Sequence, residues 1–163
     1  KKKNEVEKLK SFFAGEKIEI EKAEKIISKS HEYKIYEVIS ALMGGNIREG
    51  YDYLDTTGNY MLLLYSAVRE LQILSKIKVI LEEKNIKFIN NYNLYSKEIY
   101  PEIKSEIPGH PFAVFKKIEQ AVKMDEEKLI TLIKMGVDAE LRIKKGVMDE
   151  DSAIKLFIAG FGK

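Results

Sequence analysis

Apolar residues recur at the three- and four-residue spacing of helices along almost the whole chain, and no segment shows the strict alternation of a strand. The spacing is clearest in residues 34–43, which carry Ile35, Val38, Ile39 and Leu42 at positions i, i+3, i+4 and i+7. The pattern predicts an all-α fold. We expect about five main helices packed as a bundle around a long central helix. Two short helices should precede them, one with Val6, Leu9 and Phe13 and one at about 20–28.

The longest predicted helix runs from residue 59 to about 84 and is apolar around most of its circumference. Its apolar positions include Leu63, Leu64, Val68, Leu71, Ile73, Leu74, Ile77, Ile80 and Leu81. A helix that is apolar on nearly all sides is buried on nearly all sides, so this one should be the centre of the bundle. A narrow polar stripe remains, formed by Arg69, Gln72 and Lys76. The stripe is either a solvated seam or a contact with a partner or DNA.

Asparagine, aspartate and proline residues mark the other predicted boundaries. Asn46, Asn59 and Asp125 are placed to cap helices, because their side chains accept hydrogen bonds from free N–H groups. Residues 85–109 should be irregular, with one short helix that starts at Pro101.

Three features are predicted for the last third of the chain. A helix after Pro111 should turn inward Phe112, Phe115, Ile118 and Val122. The next helix should run from Asp125 to about Lys144, and the last should bury Ala153, Ile154, Phe157 and Ile158. Gly160-Phe161-Gly162 is expected to be a frayed end.

Composition narrows the function classes. The chain has 163 residues, 45% of them apolar and 33% charged, which suits one domain with a real core. It has no cysteine and only two histidines, which excludes disulfides, thiolate metal sites and multi-histidine zinc sites. The formal charge is only +2, and a specialised nucleic-acid binder is usually more basic. No apolar run is long enough to span a membrane, and the three lysines at the start are not followed by the apolar stretch of a signal peptide.

No constellation of residues predicts catalysis or a cofactor. Gly45 and Gly50 have the spacing of a phosphate-binding loop, but Tyr51 and Asp52 stand where that loop needs lysine and a hydroxyl residue. We therefore interpret this segment as a turn between helices. His110 lies between glycine and proline, where a cap or turn role is expected.

Glu140 breaks the apolar face of its predicted helix. A carboxylate on an apolar arc needs a cationic partner, because leaving it unpaired costs several kcal/mol. We expect an ion pair between Glu140 and a cation of the central helix, either Arg69 or Lys78. A separate group of residues is expected to contact DNA or a partner: Gln72, Lys76, Arg142, Lys144 and Lys145.

Several segments, in order, resemble the carboxyl-terminal region of the δ subunit of the bacterial DNA polymerase III clamp loader. Residues 30–44 are similar to that family's entry into its last domain, and residues 69–78 to its long central helix. Gly109-His110-Pro111-Phe112 resembles its short G-x-H-P turn, and residues 138–146 resemble its closing helix end. The stretch 85–100 departs from the family pattern.

The resemblance implies a division of the chain and a role without catalysis. Residues 1–29 would be the end of a small helical lid domain, and residues 30–163 a helical collar domain for oligomerisation. The collar would pack against the γ/τ motor subunit and δ′, so that the sliding clamp is loaded on primed DNA in the bacterial cytoplasm. The clamp itself would be contacted by an amino-terminal domain that this chain lacks. No cofactor is implied, and only the parent complex would be a nucleotidyltransferase, a DNA-directed DNA polymerase. The alternative is an unrelated all-α interaction or scaffold domain.

Overall fold

The computed structural model of the chain describes Ser11 and residues 34–162. The predicted short helices near Val6 and at 20–28 therefore lie outside the described residues. Regular structure within residues 34–162 is entirely helical, which confirms the predicted fold class. The main helices are α1 (34–43), α2 (Ile47–Thr57), α3 (Tyr60–Glu83), α6 (Pro111–Lys123), α7 (Glu126–Lys144) and α8 (Glu150–Gly160). Between α3 and α6 lie two short helices, α4 (Tyr92–Leu94) and α5 (Tyr100–Ile103).

Helix α3 is the centre of the described bundle, as its sequence predicts. It packs against α2, α6, α7 and α8. Its buried residues cover more than half of its circumference: Leu63, Leu64, Ala67, Leu71, Leu74, Ile77, Ile80 and Leu81. Because each neighbour covers a different side, the helix is held as a rigid axis.

The carboxyl-terminal end is part of the core, so the expectation that it frays is wrong. Phe161 is only 1% exposed, and its ring meets that of Phe157 edge to face at 5.2 Å between centroids. Two aromatic rings in this geometry bury a large apolar area and attract each other through their quadrupoles. That contact fixes the chain just beyond the end of α8.

Each of the helices α6, α7 and α8 begins at a residue whose side chain caps it. Asp125 and Asp149 accept hydrogen bonds from the N–H groups of Lys128 and Ser152, and His110 Nδ1 accepts from Phe112. All three capping residues have extended backbone, with ψ between 134° and 161°.

Asn46 and Asn59 occupy cap positions without making the predicted side-chain bonds. Their ψ values are 82° and 63°, outside the extended range. A cap side chain reaches the free N–H groups of the first turn from an extended backbone, so these two cannot do so.

The irregular stretch contains more helix than predicted. The Asn91 side chain accepts hydrogen bonds from the first turn of α4, and a π-helical turn at Tyr95–Ile99 joins α4 to α5. Pro101 lies in the first turn of α5, one residue after its start at Tyr100, so this short helix begins within one residue of the predicted position. Proline is tolerated in the first turn of a helix, because the N–H group that it lacks has no intrahelical acceptor there and its fixed φ suits the helix.

Helix α6 turns only part of its predicted face inward. Phe115 and Ile118 are buried, whereas Phe112 and Val122 are each nearly half exposed. Phe112 lies in the first turn, where its ring edge meets Tyr92, and Val122 lines an open groove beside the end of α3. The helix ends extend past the neighbours that would cover these two side chains.

Candidate interaction face of helices α3 and α7

The polar stripe predicted on α3 is longer than the sequence pattern suggests. Five exposed residues follow one another along it at three- and four-residue spacing: Leu62, Tyr65, Arg69, Gln72 and Lys76. Leu62 and Tyr65 lie in an apolar run of the sequence, 61–65, and are nevertheless exposed. Their spacing from Arg69 is the signal that extends the stripe toward the start of the helix.

Helix α7 lies beside this stripe and runs in the opposite direction. The Tyr65 hydroxyl donates to Glu140 Oε1 at 3.0 Å, and Gly136 lies against the side chain of Val68. Residues later in α3 therefore lie opposite residues earlier in α7, as Tyr65 with Glu140 and Val68 with Gly136 show. Three large apolar side chains of α7 are exposed on the side away from α8: Ile130, Val137 and Leu141.

The exposed residues of both helices lie on one side of this packed pair, and we name this surface the α3–α7 face. It consists of Leu62, Tyr65, Arg69 and Gln72 from α3 and Ile130, Lys134, Val137 and Leu141 from α7. Leu62, Tyr65 and Leu141 are each 46–48% exposed, and Val137 is 52% exposed. Single exposed apolar residues are ordinary on a protein surface, but a contiguous group marks a contact surface.

Glu140 pairs with a cation, but not with either cation that the sequence predicts. Lys144 Nζ lies 2.6 Å from Glu140 Oε1, one turn along the same helix. The hydrogen bonds from Lys144 and Tyr65 hold the pKa of Glu140 below its ordinary value, and Glu140 in turn raises the pKa of Lys144. Within the described range 34–162 no ion pair joins Glu140 to Arg69 or Lys78; a lysine four residues away on the same helix is its partner.

The residues predicted to contact DNA or a partner do not converge on one patch. Lys76 donates to the carbonyl of Glu106 at 3.1 Å, and Arg142 Nε lies 2.6 Å from Asp138 Oδ2. Lys144 lies beside Tyr65, and about 16 Å of helix separates Tyr65 from Lys76. Gln72 is exposed within the α3–α7 face, and Lys145 is exposed at the end of α7. Lys76, Arg142 and Lys144 each have a partner within the chain, and a contact of any of these residues with DNA or a partner stays a prediction.

A comparison with protein families agrees with this architecture. Residues 32–161 match the model of the DNA polymerase III delta subunit, C-terminal domain. The chain belongs to that family. This membership gives the chain a role in the polymerase III clamp loader, where the delta domain is a non-catalytic component that associates with other loader components. No curated protein and no solved structure matches the chain.

The glycine pair of this delta-family chain serves helix packing. Gly45 has a φ of +84°, which the turn between α1 and α2 requires. A Cβ at Gly50 would lie 3.0 Å from Leu42 and 3.3 Å from Ile158, so the glycine lets α2 approach both neighbours. These contacts support the interpretation of this segment as a turn between helices.

The described part of this delta-family chain offers two open grooves. The larger, about 330 Å³, lies beside Lys78, Leu81 and Val122, and the smaller, about 170 Å³, lies between α7 and α8. Among residues 34–162 no group of three acidic or histidine side chains is arranged to hold a metal ion. No helix in the same range is both long and apolar enough to cross a membrane.

Proposed function

We propose that this chain is the assembly domain of a clamp-loader delta subunit and packs its helices against neighbouring loader subunits. The motor subunit γ/τ and δ′ are the expected neighbours. The observation that carries the proposal is the family match over residues 32–161. Through this packing the domain would hold the loader together while the sliding clamp is placed on primed DNA.

The architecture suits a structural role. The core is one continuous cluster from Ile35 in α1 to Phe161 after α8, with α3 at its centre. Close-packed interiors of this kind deform little, so the bundle can transmit force and hold a fixed orientation. A rigid body of this type would leave domains attached to it free to move.

The proposal also covers the division of the parent subunit. Residues 30–163 would be the collar and residues 1–29 the end of the preceding lid domain, as the resemblance implies. Contact with the sliding clamp would belong to an amino-terminal domain. A cytoplasmic location would follow from this role, because bacterial DNA is replicated in the cytoplasm.

The direct test is assembly with a purified loader motor subunit. Size-exclusion chromatography with light scattering should show the chain co-eluting with that subunit at micromolar concentration. An unrelated helical scaffold domain would elute separately, and that result would refute the proposal. A primed DNA duplex at about 50 mM salt is the second probe, since phosphate contacts are strongest at low salt. Absence of binding there would remove a direct DNA role for the isolated chain.

A further inference from the structure

The α3–α7 face has an apolar centre and unpaired cations beside it. Leu62, Tyr65, Val137 and Leu141 form the apolar part. Arg69 and Lys134 are exposed and have no acidic partner among residues 34–162. Glu140, the acid beside Tyr65, already accepts from Tyr65 and Lys144, and Asp138, one turn from Lys134, pairs with Arg142. The uncompensated charge on this face is therefore positive.

These features favour a protein occupant over DNA. Protein–protein interfaces have an apolar centre and a polar rim, with tyrosine and arginine enriched. DNA-binding surfaces are much more positively charged than this one, and four large apolar side chains would lie against phosphates without a partner. A carboxylate from a protein partner would satisfy Arg69, because arginine pairs with carboxylates in a planar, two-bond geometry.

The size of the face indicates the kind of element that covers it. Leu62 and Gln72 are separated by about 15 Å of helix, and two packed helices are about 8–10 Å apart. One helix laid along the α3–α7 face would match these dimensions. A standard interface buries about 800 Å² per partner, so this face would be the centre of a larger contact.

We propose that the α3–α7 face binds an amphipathic helix of the neighbouring motor subunit, whose apolar stripe lies along the boundary of α3 and α7 with aspartate or glutamate beside it. This inference rests on the proposed function and adds to it the face and the chemistry of the partner. Leu62, Tyr65, Val137 and Leu141 pack against the apolar stripe. Arg69 pairs with an acidic residue at its edge.

Two exposed leucines provide a matched test. Leu141 on the face is 47% exposed, and Leu156 on α8 is 54% exposed and lies outside the face. Leu141→Glu should weaken association with the motor subunit at least tenfold, whereas Leu156→Glu should bind as wild type. Circular dichroism should show both variants folded, since exposed substitutions alter stability little. The opposite order of effects, or no effect from Leu141→Glu while wild type binds, would overturn the inference and leave the proposed function standing. Failure of wild type to bind would instead refute the proposed function.

The charge part of the inference has its own readout. Arg69→Glu should slow association with the motor subunit at low salt and lose most of this effect above about 0.5 M salt, because ions screen rim charges. Gln72→Glu, one turn away on the same stripe, tests whether an added acidic side chain by itself slows association as much as Arg69→Glu does. An Arg69→Glu variant that binds faster would show that the partner presents cations and would overturn the inference.

The absence of native cysteine allows a direct measurement of coverage. A single thiol introduced by Leu141→Cys should be alkylated rapidly in the free chain and at least tenfold more slowly when the motor subunit is added. Leu156→Cys should change little. Slow alkylation of Leu141→Cys in the dilute free chain would show that the chain covers its own face. Alkylation that slows as the concentration of the chain rises would show that a second copy covers the face. Alkylation that slows when primed DNA alone is added would show a nucleic-acid contact. Each of these three results would overturn the inference.

Discussion

Gly136 sets how closely α7 approaches α3, and replacing it by alanine should destabilise the protein. A Cβ built at Gly136 would lie closer than 3.0 Å to a methyl carbon of Val68. Two ring atoms of Phe157 lie at 3.3 and 3.5 Å on another side. Valine in a helix has one strongly preferred rotamer, so its methyl group cannot rotate away at low cost. The helices would have to separate.

The expected magnitude comes from two opposing effects. Alanine is favoured over glycine within a helix by about 1 kcal/mol. Overpacking a close helix contact costs about 1–3 kcal/mol, and the value should be at the upper end where backbone or branched side chains must shift. The net loss is therefore about 2 kcal/mol. For a chain of this length that loss lowers Tm by about 4–8 °C.

The assay is thermal and urea unfolding of wild type, Gly136→Ala, Val68→Ala and the double variant. Val68→Ala removes the methyl group that Gly136→Ala would meet, so the double variant should be more stable than the sum of the two single effects by at least about 1 kcal/mol. Gly160→Ala is the matched control. There the new Cβ would meet mainly the flexible end of Met135, at 2.8 Å, so the loss should be smaller. Additivity within about 0.5 kcal/mol, or a more stable Gly136→Ala protein, would refute the reasoning.

Three further predictions concern single polar groups. Hydrogen bonds from Lys123 and Lys116 lower the pKa of Glu119 to about 2. The ionised Glu119 carboxylate therefore stabilises the fold fully above pH 4.5, its ordinary pKa, and this stabilisation is lost as the pH falls toward 2. In urea unfolding, the free energy of unfolding should therefore fall less on acidification for Glu119→Gln than for wild type. The Tyr95 hydroxyl is buried without a hydrogen-bond partner among residues 34–162, so Tyr95→Phe should raise the free energy of unfolding by about 1 kcal/mol, and a decrease would reveal a partner. Glu70 and Lys117 form a largely buried ion pair between α3 and α6, so Glu70→Gln should cost about 1–3 kcal/mol in urea unfolding, and no loss would show that the pair is dispensable.

The hydrophobic pattern alone predicts most of the described fold. The spacing in residues 34–43 and the apolar circumference of α3 correctly predict a helix and a central helix, because burial of apolar surface is the dominant driving force. Asp125 correctly predicts the start of α7, since a cap depends on residues only a few positions apart. The order of the segments that resemble the family also supports membership, because each of them is a short run of neighbouring residues that can be recognised from the sequence alone.

Contacts between distant residues required the tertiary structure. The Tyr65 hydroxyl reaches Glu140 only because α7 packs against α3. Lys144, in contrast, is four residues from Glu140 on the same helix, so helical spacing alone indicates that pair. Leu62 lies in an apolar run of the sequence, but whether a neighbouring helix covers its side chain depends on the position of that helix in the folded bundle. Phe161 lies beyond the last predicted helix and is buried only because Phe157 and the core stand beside it. Sequence determines which surfaces are apolar through local spacing, whereas exposure depends on the positions of elements far apart in the chain, and only the folded bundle decides those positions.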